Sequence, residues 1–203
     1  MIVANTAQRI GGIPSVRDDA QTRRRAELDR FLRDTERRAL RMAQLGTGHL
    51  DDALELVQEA MYGFVRHYAD KPAADWAPLF YRVLDSRLLD FHRRQTVRRR
   101  WLAIGFGHAT QAEDDAGDPL DQVAAPEATS DPLQQLTDHA AMQSLQAALQ
   151  QLPDRQRQAF LLRHWEGFDG ATTAGIMGCS EGSVKTHLSR ALTALRRALE
   201  EHR

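Results

Sequence analysis

The chain has 203 residues, 42% hydrophobic and 27% charged, an ordinary balance for a soluble protein of one or two domains. Its 27 Lys and Arg nearly cancel 28 Asp and Glu, and a net charge of −1 by itself points to no nucleic-acid partner. The single cysteine, Cys179, excludes an internal disulfide and a Cys-rich zinc site, and no apolar run approaches the roughly 18 residues of a membrane span.

Residues 1–25 hold Gly11, Gly12 and Pro14 without periodicity and read as a flexible leader. They lack the apolar core of a signal peptide, so a soluble, cytoplasmic chain is expected. From Ala26 the spacing predicts a helix with Leu28, Phe31, Leu32, Thr35, Ala39 and Met42 on one stripe, ended by Gly46 and Gly48. A second helix carries Leu54, Val57, Met61, Phe64, Val65 and Tyr68, with Asp51 or Asp52 placed to cap it. Lys71-Pro72 breaks it. A third helix begins near Trp76, tolerates Pro78 in its first turn, and ends in Arg93, Arg94, Arg98, Arg99, Arg100 and Trp101.

Residues 102–138 read as a linker with eight acids and no Lys or Arg, so that like charges repel and extend it. Charge is thus segregated along the chain. Residues 26–101 form a first, net-basic domain, and residues 139–203, with eight basic and six acidic side chains, a second. In the second, helical periodicity runs through Leu145, Leu149 and Leu152, and Pro153 starts another helix with Ala159, Phe160, Leu162 and Trp165 inward. A short segment near Ala171–Met177 follows. The last helix places Val184, Leu188, Ala191, Leu192, Leu195 and Leu199 on one face. No period-2 alternation between hairpin turns appears, so the expected fold is all-α: two small helical bundles and a flexible acidic linker.

The short helix, the Gly178-Cys179-Ser180 turn and the last helix make a helix-turn-helix pattern. Ser180 can cap the last helix. Its outward face presents Ser183, Lys185, Thr186, His187, Ser189 and Arg190, donors suited to phosphates and to the acceptor edge of the major groove. The eight His are scattered, and no phosphate loop, metal-ligand pair at i, i+4 or nucleophile elbow appears. An enzyme is therefore not expected, and neither a cofactor nor a metal is implied.

The run from Leu152-Pro153 through Arg157, Ala159-Phe160, Leu162-Arg163 and Glu166-Gly167 to Met177-Gly178-Cys179-Ser180-Glu181-Gly182-Ser183-Val184-Lys185-Thr186-His187-Leu188-Ser189-Arg190-Ala191 resembles region 4 of bacterial RNA polymerase sigma factors, specifically the extracytoplasmic-function group. The resemblance implies a domain that reads the −35 promoter element through Ser183, Lys185, Thr186, His187, Ser189 and Arg190 and contacts the flap of the polymerase β subunit. His187 stands where the family usually has Arg, and Ala171-Thr172-Thr173-Ala174 where it has Glu-Glu-Ile-Ala.

Asp51 to Met61 resembles the family's region 2.2 helix. This implies that Asp52, Glu55, Gln58 and Glu59 face outward and dock on the clamp of the β′ subunit, with Leu54 and Val57 facing in. Phe80 to Arg94 resembles regions 2.3 and 2.4, with Ser86 where Asn is usual. The resemblance implies that the loop Asp70–Trp76 captures a flipped base of the −10 element, with Trp76 and the Arg93, Arg94, Arg98, Arg99 and Arg100 track on DNA. By residue chemistry alone, Trp76, Phe80 and Trp101 read as core aromatics. In the family the linker runs through the RNA path of the polymerase, and an anti-sigma partner is common. The expected partners are therefore core RNA polymerase and promoter DNA, with neither a membrane nor a small-molecule substrate. The rival reading is a stand-alone helix-turn-helix regulator.

Overall fold

The computed structural model describes residues 16–105 and 132–200. Among them every regular element is helical: α1 (Val16–Thr47), α2 (Leu50–Tyr68), a 3₁₀ turn (Ala73–Asp75), α3 (Trp76–Gly105), α4 (Pro132–Gln151), α5 (Asp154–Phe160, continued by a π turn to Trp165), α6 (Gly170–Met177) and α7 (Glu181–Glu200). None of these helices is long and apolar enough to cross a membrane.

The first bundle is α1, α2 and α3. Its stripes meet in a core of Ala39, Met42, Ala53, Leu56, Val57, Phe64, Trp76, Phe80 and Leu84. Phe31, Phe64, Trp76 and Phe80 form an aromatic cluster with ring centroids 5.5–6.2 Å apart. α1 and α3 cross closely at Gly46, where a Cβ would lie 2.9 Å from Leu88 Cδ2. The helix entry differs from the expected capping. His49 holds the N-cap of α2 without a side-chain bond, and Asp51 and Asp52 sit in the first turn, where they favour the positive end of the helix dipole.

Helix α1 also begins at Val16, inside the stretch expected to be a leader. Arg24 supplies one reason. Its guanidinium donates to the carbonyls of Ala69 (2.9 Å) and Lys71 (2.6 Å) and lies 5.8 Å from the Trp76 ring centroid. It thereby ties the start of α1 to the α2–α3 turn. Local composition does not reveal this, because the partners are backbone carbonyls 45 and 47 residues away. The acidic linker lies outside the described residues except at its ends, which belong to α3 and α4.

The second bundle packs Leu149, Leu152, Ala159, Leu161, Leu162, Ile176, Met177, Val184, Ala191 and Leu195. Arg157 is buried. It donates to Leu149 O at the end of α4 and pairs with Asp154 at 2.7 Å, so its charge has a partner in the apolar interior.

The two bundles touch. Gln150 Nε2 donates to the carbonyls of Leu45 and Gly46, and Gln146 Nε2 to that of Gly48, all at 2.9 Å. These amides satisfy carbonyls at the end of α1 that have no partner within the helix. Asp85 on α3 accepts from Gln158 on α5. Arg38 reaches the Glu166 carboxylate at 3.4 Å and its carbonyl at 3.2 Å, and the Tyr81 and Phe168 rings meet edge to face at 5.2 Å.

Candidate nucleic-acid interface

Helix α6 begins at Asp169, whose carboxylate accepts from Thr172 N at 2.7 Å. This bond holds the Asp169 carboxyl below the usual carboxylate range. α6 ends at Gly178, which takes φ +62, a left-handed conformation that glycine adopts without a Cβ clash. That turn reverses the chain into Ser180. Ser180 Oγ accepts from Ser183 N at 3.2 Å and lies 2.9 Å from Ser183 Oγ, capping α7 as its sequence position predicts. Ser180→Ala should cost about 1 kcal/mol and fray the first turn of α7. A lowered thermal midpoint with an unchanged far-UV spectrum at 20 °C would match this, and an unshifted midpoint would contradict it.

Val184, Ala191 and Leu195 are buried and Leu188 is half-buried, so one face of α7 is core. The opposite face exposes Lys185, Thr186, Ser189, Arg190 and Thr193. Lys185 and Arg190 make no hydrogen bond or ion pair among the described residues, so both are available to a ligand. The hydroxyls of Ser183 and Thr186 are engaged locally, Thr186 Oγ1 donating to Gly182 O at 2.9 Å. His187 departs from its expected place. It is half-buried beside the core face, because it follows Val184 by three residues and precedes Ala191 by four. Thr193 is the residue that sequence reasoning missed, although its spacing of seven from Thr186 and four from Ser189 places it on the outward stripe.

On α2, Glu55 and Gln58 are exposed as expected. Asp52 and Glu59 are half-buried, and Glu59 pairs with Arg87 of α3 at 3.5 Å. Leu54 does not face in: it is exposed, with Val65 and the 71% exposed Tyr62. The core stripe of α2 is carried instead by Ala53, Leu56, Val57, Ala60 and Phe64, one residue out of step with Leu54. The outer face therefore combines acid and amide with an apolar strip.

On α3, Arg93, Arg94 and Arg98 are exposed; the side chains of Arg99 and Arg100 lie outside those described. Trp76 is 1% exposed, locked into the aromatic cluster, so its ring is a core group and offers no face to a base. Residues 70–75 beside it are exposed. Trp101, expected in the core, is 72% exposed, because α3 continues past the bundle that would have covered it. No cluster of metal-binding side chains occurs among the described residues.

Residues 142–195 match the family model described as Sigma-70, region 4. The chain is 29% identical to the RNA polymerase sigma-E factor of Streptomyces avermitilis over 177 residues, 86% of each chain. It is 27% identical to the ECF RNA polymerase sigma factor SigM of Mycobacterium tuberculosis, over 86% of this chain and 78% of that one. Its fold is similar to that of the sigma factor RpoE from Bartonella quintana, solved in complex with the anti-sigma factor NepR, with a TM-score of 0.55, 22% identity and coverage of 91% of this chain and 99% of that one. The helix-turn-helix and these similarities lead to one family: residues 142–195 match sigma-70 region 4, and the chain as a whole is similar to extracytoplasmic-function RNA polymerase sigma factors.

Proposed function

We propose that this sigma factor directs promoter-specific transcription initiation through a division of labour between its bundles. The second bundle reads the −35 element. The observation that carries this is the division of α7 into a packed apolar face and an outward face bearing Lys185, Ser189 and Arg190. A helix so divided enters a major groove without unfolding its bundle, and its donors match the acceptors there. The same bundle meets the β flap of the polymerase.

The first bundle holds core polymerase and opens the −10 element. Glu55 and Gln58, with the strip of Leu54, Tyr62 and Val65, dock α2 on the β′ clamp. An exposed tyrosine flanked by apolar and charged groups suits an interface anchor. The exposed residues 70–75 receive the flipped base, and the Arg track of α3 follows the strand. Promoter DNA and core RNA polymerase are the partners. The similarity to an RpoE solved with NepR supports an anti-sigma factor as a third. The two domains centre on residues 26–101 and 139–203, with α1, α3 and α4 extending beyond those bounds, and the protein works in the cytoplasm as a non-enzymatic factor.

Run-off transcription with core polymerase tests this reading. Added protein should yield transcripts from its own promoters and none from a promoter of the housekeeping class. Stable operator binding without effect on core polymerase would instead favour a stand-alone regulator.

A further inference from the structure

Helix α1 sets Arg37 and Arg41 one turn apart, with Arg38 beside them, against the π turn that carries His164 and Trp165. These five side chains line a hollow of about 490 Å³ where the two bundles meet. Its walls come from both: the arginines from the first bundle, the rings from the second. The Trp165 indole packs against the core and stays half-buried. His164 is exposed, and its ring stacks on Phe160 at 5.5 Å.

The arginines are unevenly satisfied. Arg38 is held by Glu166, which offsets one charge. Arg41 gives one N–H to the neutral Gln44 side chain at 3.3 Å. Arg37 is exposed and makes no hydrogen bond or ion pair among the described residues. Asp34, one turn earlier, pairs with neither Arg37 nor Arg38. At i, i+4, Arg37 and Arg41 repel each other. Two cations thus stand uncompensated beside a flat apolar ring.

Cations this close, in a hollow of this size, fit a small ligand with several negative charges packed together. Adjacent phosphates have that form, whereas the carboxylates of an extended peptide are spread along its backbone. Arginine forks suit phosphate oxygens, and the indole offers a face to a planar ring. A nucleotide combines the two in one small molecule.

We propose that this hollow is a nucleoside diphosphate site, with Arg37 and Arg41 on the phosphates and Trp165 against the base. A ligand held by walls from both bundles binds only their packed arrangement, and it stabilises that arrangement by mass action. The nucleotide thereby restrains initiation. This consequence rests on the promoter role proposed above, in which the bundles reach separate elements.

Calorimetric titration of the full chain with ADP, adenosine and pyrophosphate tests the site. ADP should bind about tenfold or more tightly than either fragment, since it alone engages both walls. The double variant Arg37→Ala/Arg41→Ala should weaken ADP about tenfold or more. Trp165→Leu keeps an apolar group at the half-buried position and should bring ADP down to the affinity of pyrophosphate. Equal binding of ADP and pyrophosphate by wild type would reduce the hollow to an anion patch and overturn the nucleotide. Unchanged affinity in the double arginine variant would place ADP elsewhere and overturn the site. ADP is not polymerised, so run-off transcription can be read in its presence. Saturating ADP should lower the wild-type yield and leave the arginine variant at its own ADP-free level. An unchanged wild-type yield would overturn the bridging. A wild type that makes no promoter-specific transcript without ADP would instead sink the sigma reading, and calorimetry would still decide the site.

Discussion

Replacing Asp85 by Asn is expected to tighten the packing of the two bundles at neutral pH and to reduce initiation. Asp85 is 5% exposed at the seam, where Gln158 donates to it. Burial pushes its pKa up to about 7, against the opposing pull of the Gln158 bond and of Arg155. His92, Asp154 and Arg157 line the small cavity beside it. Freed by opening, the carboxyl would titrate near the ordinary value of about 4. The packed form is therefore unpenalised below about pH 4, loses stability as pH rises from about 4 to 7, and carries a constant penalty above that. The ceiling is about 4 kcal/mol, from roughly three units at about 1.4 kcal/mol each. Asp85→Asn would recover about 1–3 kcal/mol of it, because the new amide must also find an acceptor.

Thermal melts at pH 4.5, 6 and 7.5 check this. Wild type should lose stability across the series. The variant should keep only a shallow slope, owed to Glu166, whose carboxyl burial also raises. Parallel slopes would remove Asp85 from the seam's energetics. The functional consequence follows from distance. Elements named −10 and −35 lie about 25 base pairs apart, roughly 85 Å along the duplex at about 3.4 Å per step. A packed body of this size is about 40 Å across. The bundles must separate to touch both elements, so a tighter seam lowers the yield of run-off transcript.

Arg190→Ala is expected to relax −35 selection. Its side chain is exposed on α7 and has no partner among the described residues, so its removal leaves the bundle intact. A bidentate contact to a guanine would be worth about 1–3 kcal/mol, or about five- to 150-fold in preference for the matched element. Lys185→Ala should behave differently. A point charge on a phosphate loses affinity evenly across promoters and lowers the salt slope by about one. Competition between matched and mismatched −35 fragments, bound by holoenzyme at two salt concentrations, distinguishes the roles. An even loss for Arg190→Ala would make it a phosphate contact as well.

Most of the fold is legible in the chain because helical bundles write their packing as spacing. The stripe Val184–Leu188–Ala191–Leu195 announces α7 and, by subtraction, its outward face. Ser180 and Gly178 announce the turn, since one needs a cap oxygen and the other a left-handed backbone. Leu54 shows the limit of the same logic. Two apolar stripes one residue apart compete on α2, and only the positions of α1 and α3 decide which is core. Trp76 is core, as its residue chemistry reads and against the DNA contact that the resemblance implies, whereas Trp101 lies outside the core for a related reason: burial depends on what a distant segment covers. Arg24 and the start of α1 escape composition because their partners are backbone carbonyls.

The sequence by itself determined the all-α class, the helix-turn-helix with its donor face, the segregation of charge and the resemblance to sigma factors. Each of these is carried by residue type at local spacing. Only the tertiary structure decided that the bundles meet through Asp85–Gln158, Arg38–Glu166 and the α4 amides, and that Trp101 is left in solvent between arginines. Those facts depend on which surfaces are brought together or left uncovered by segments far apart in the chain, a distance over which periodicity carries no information.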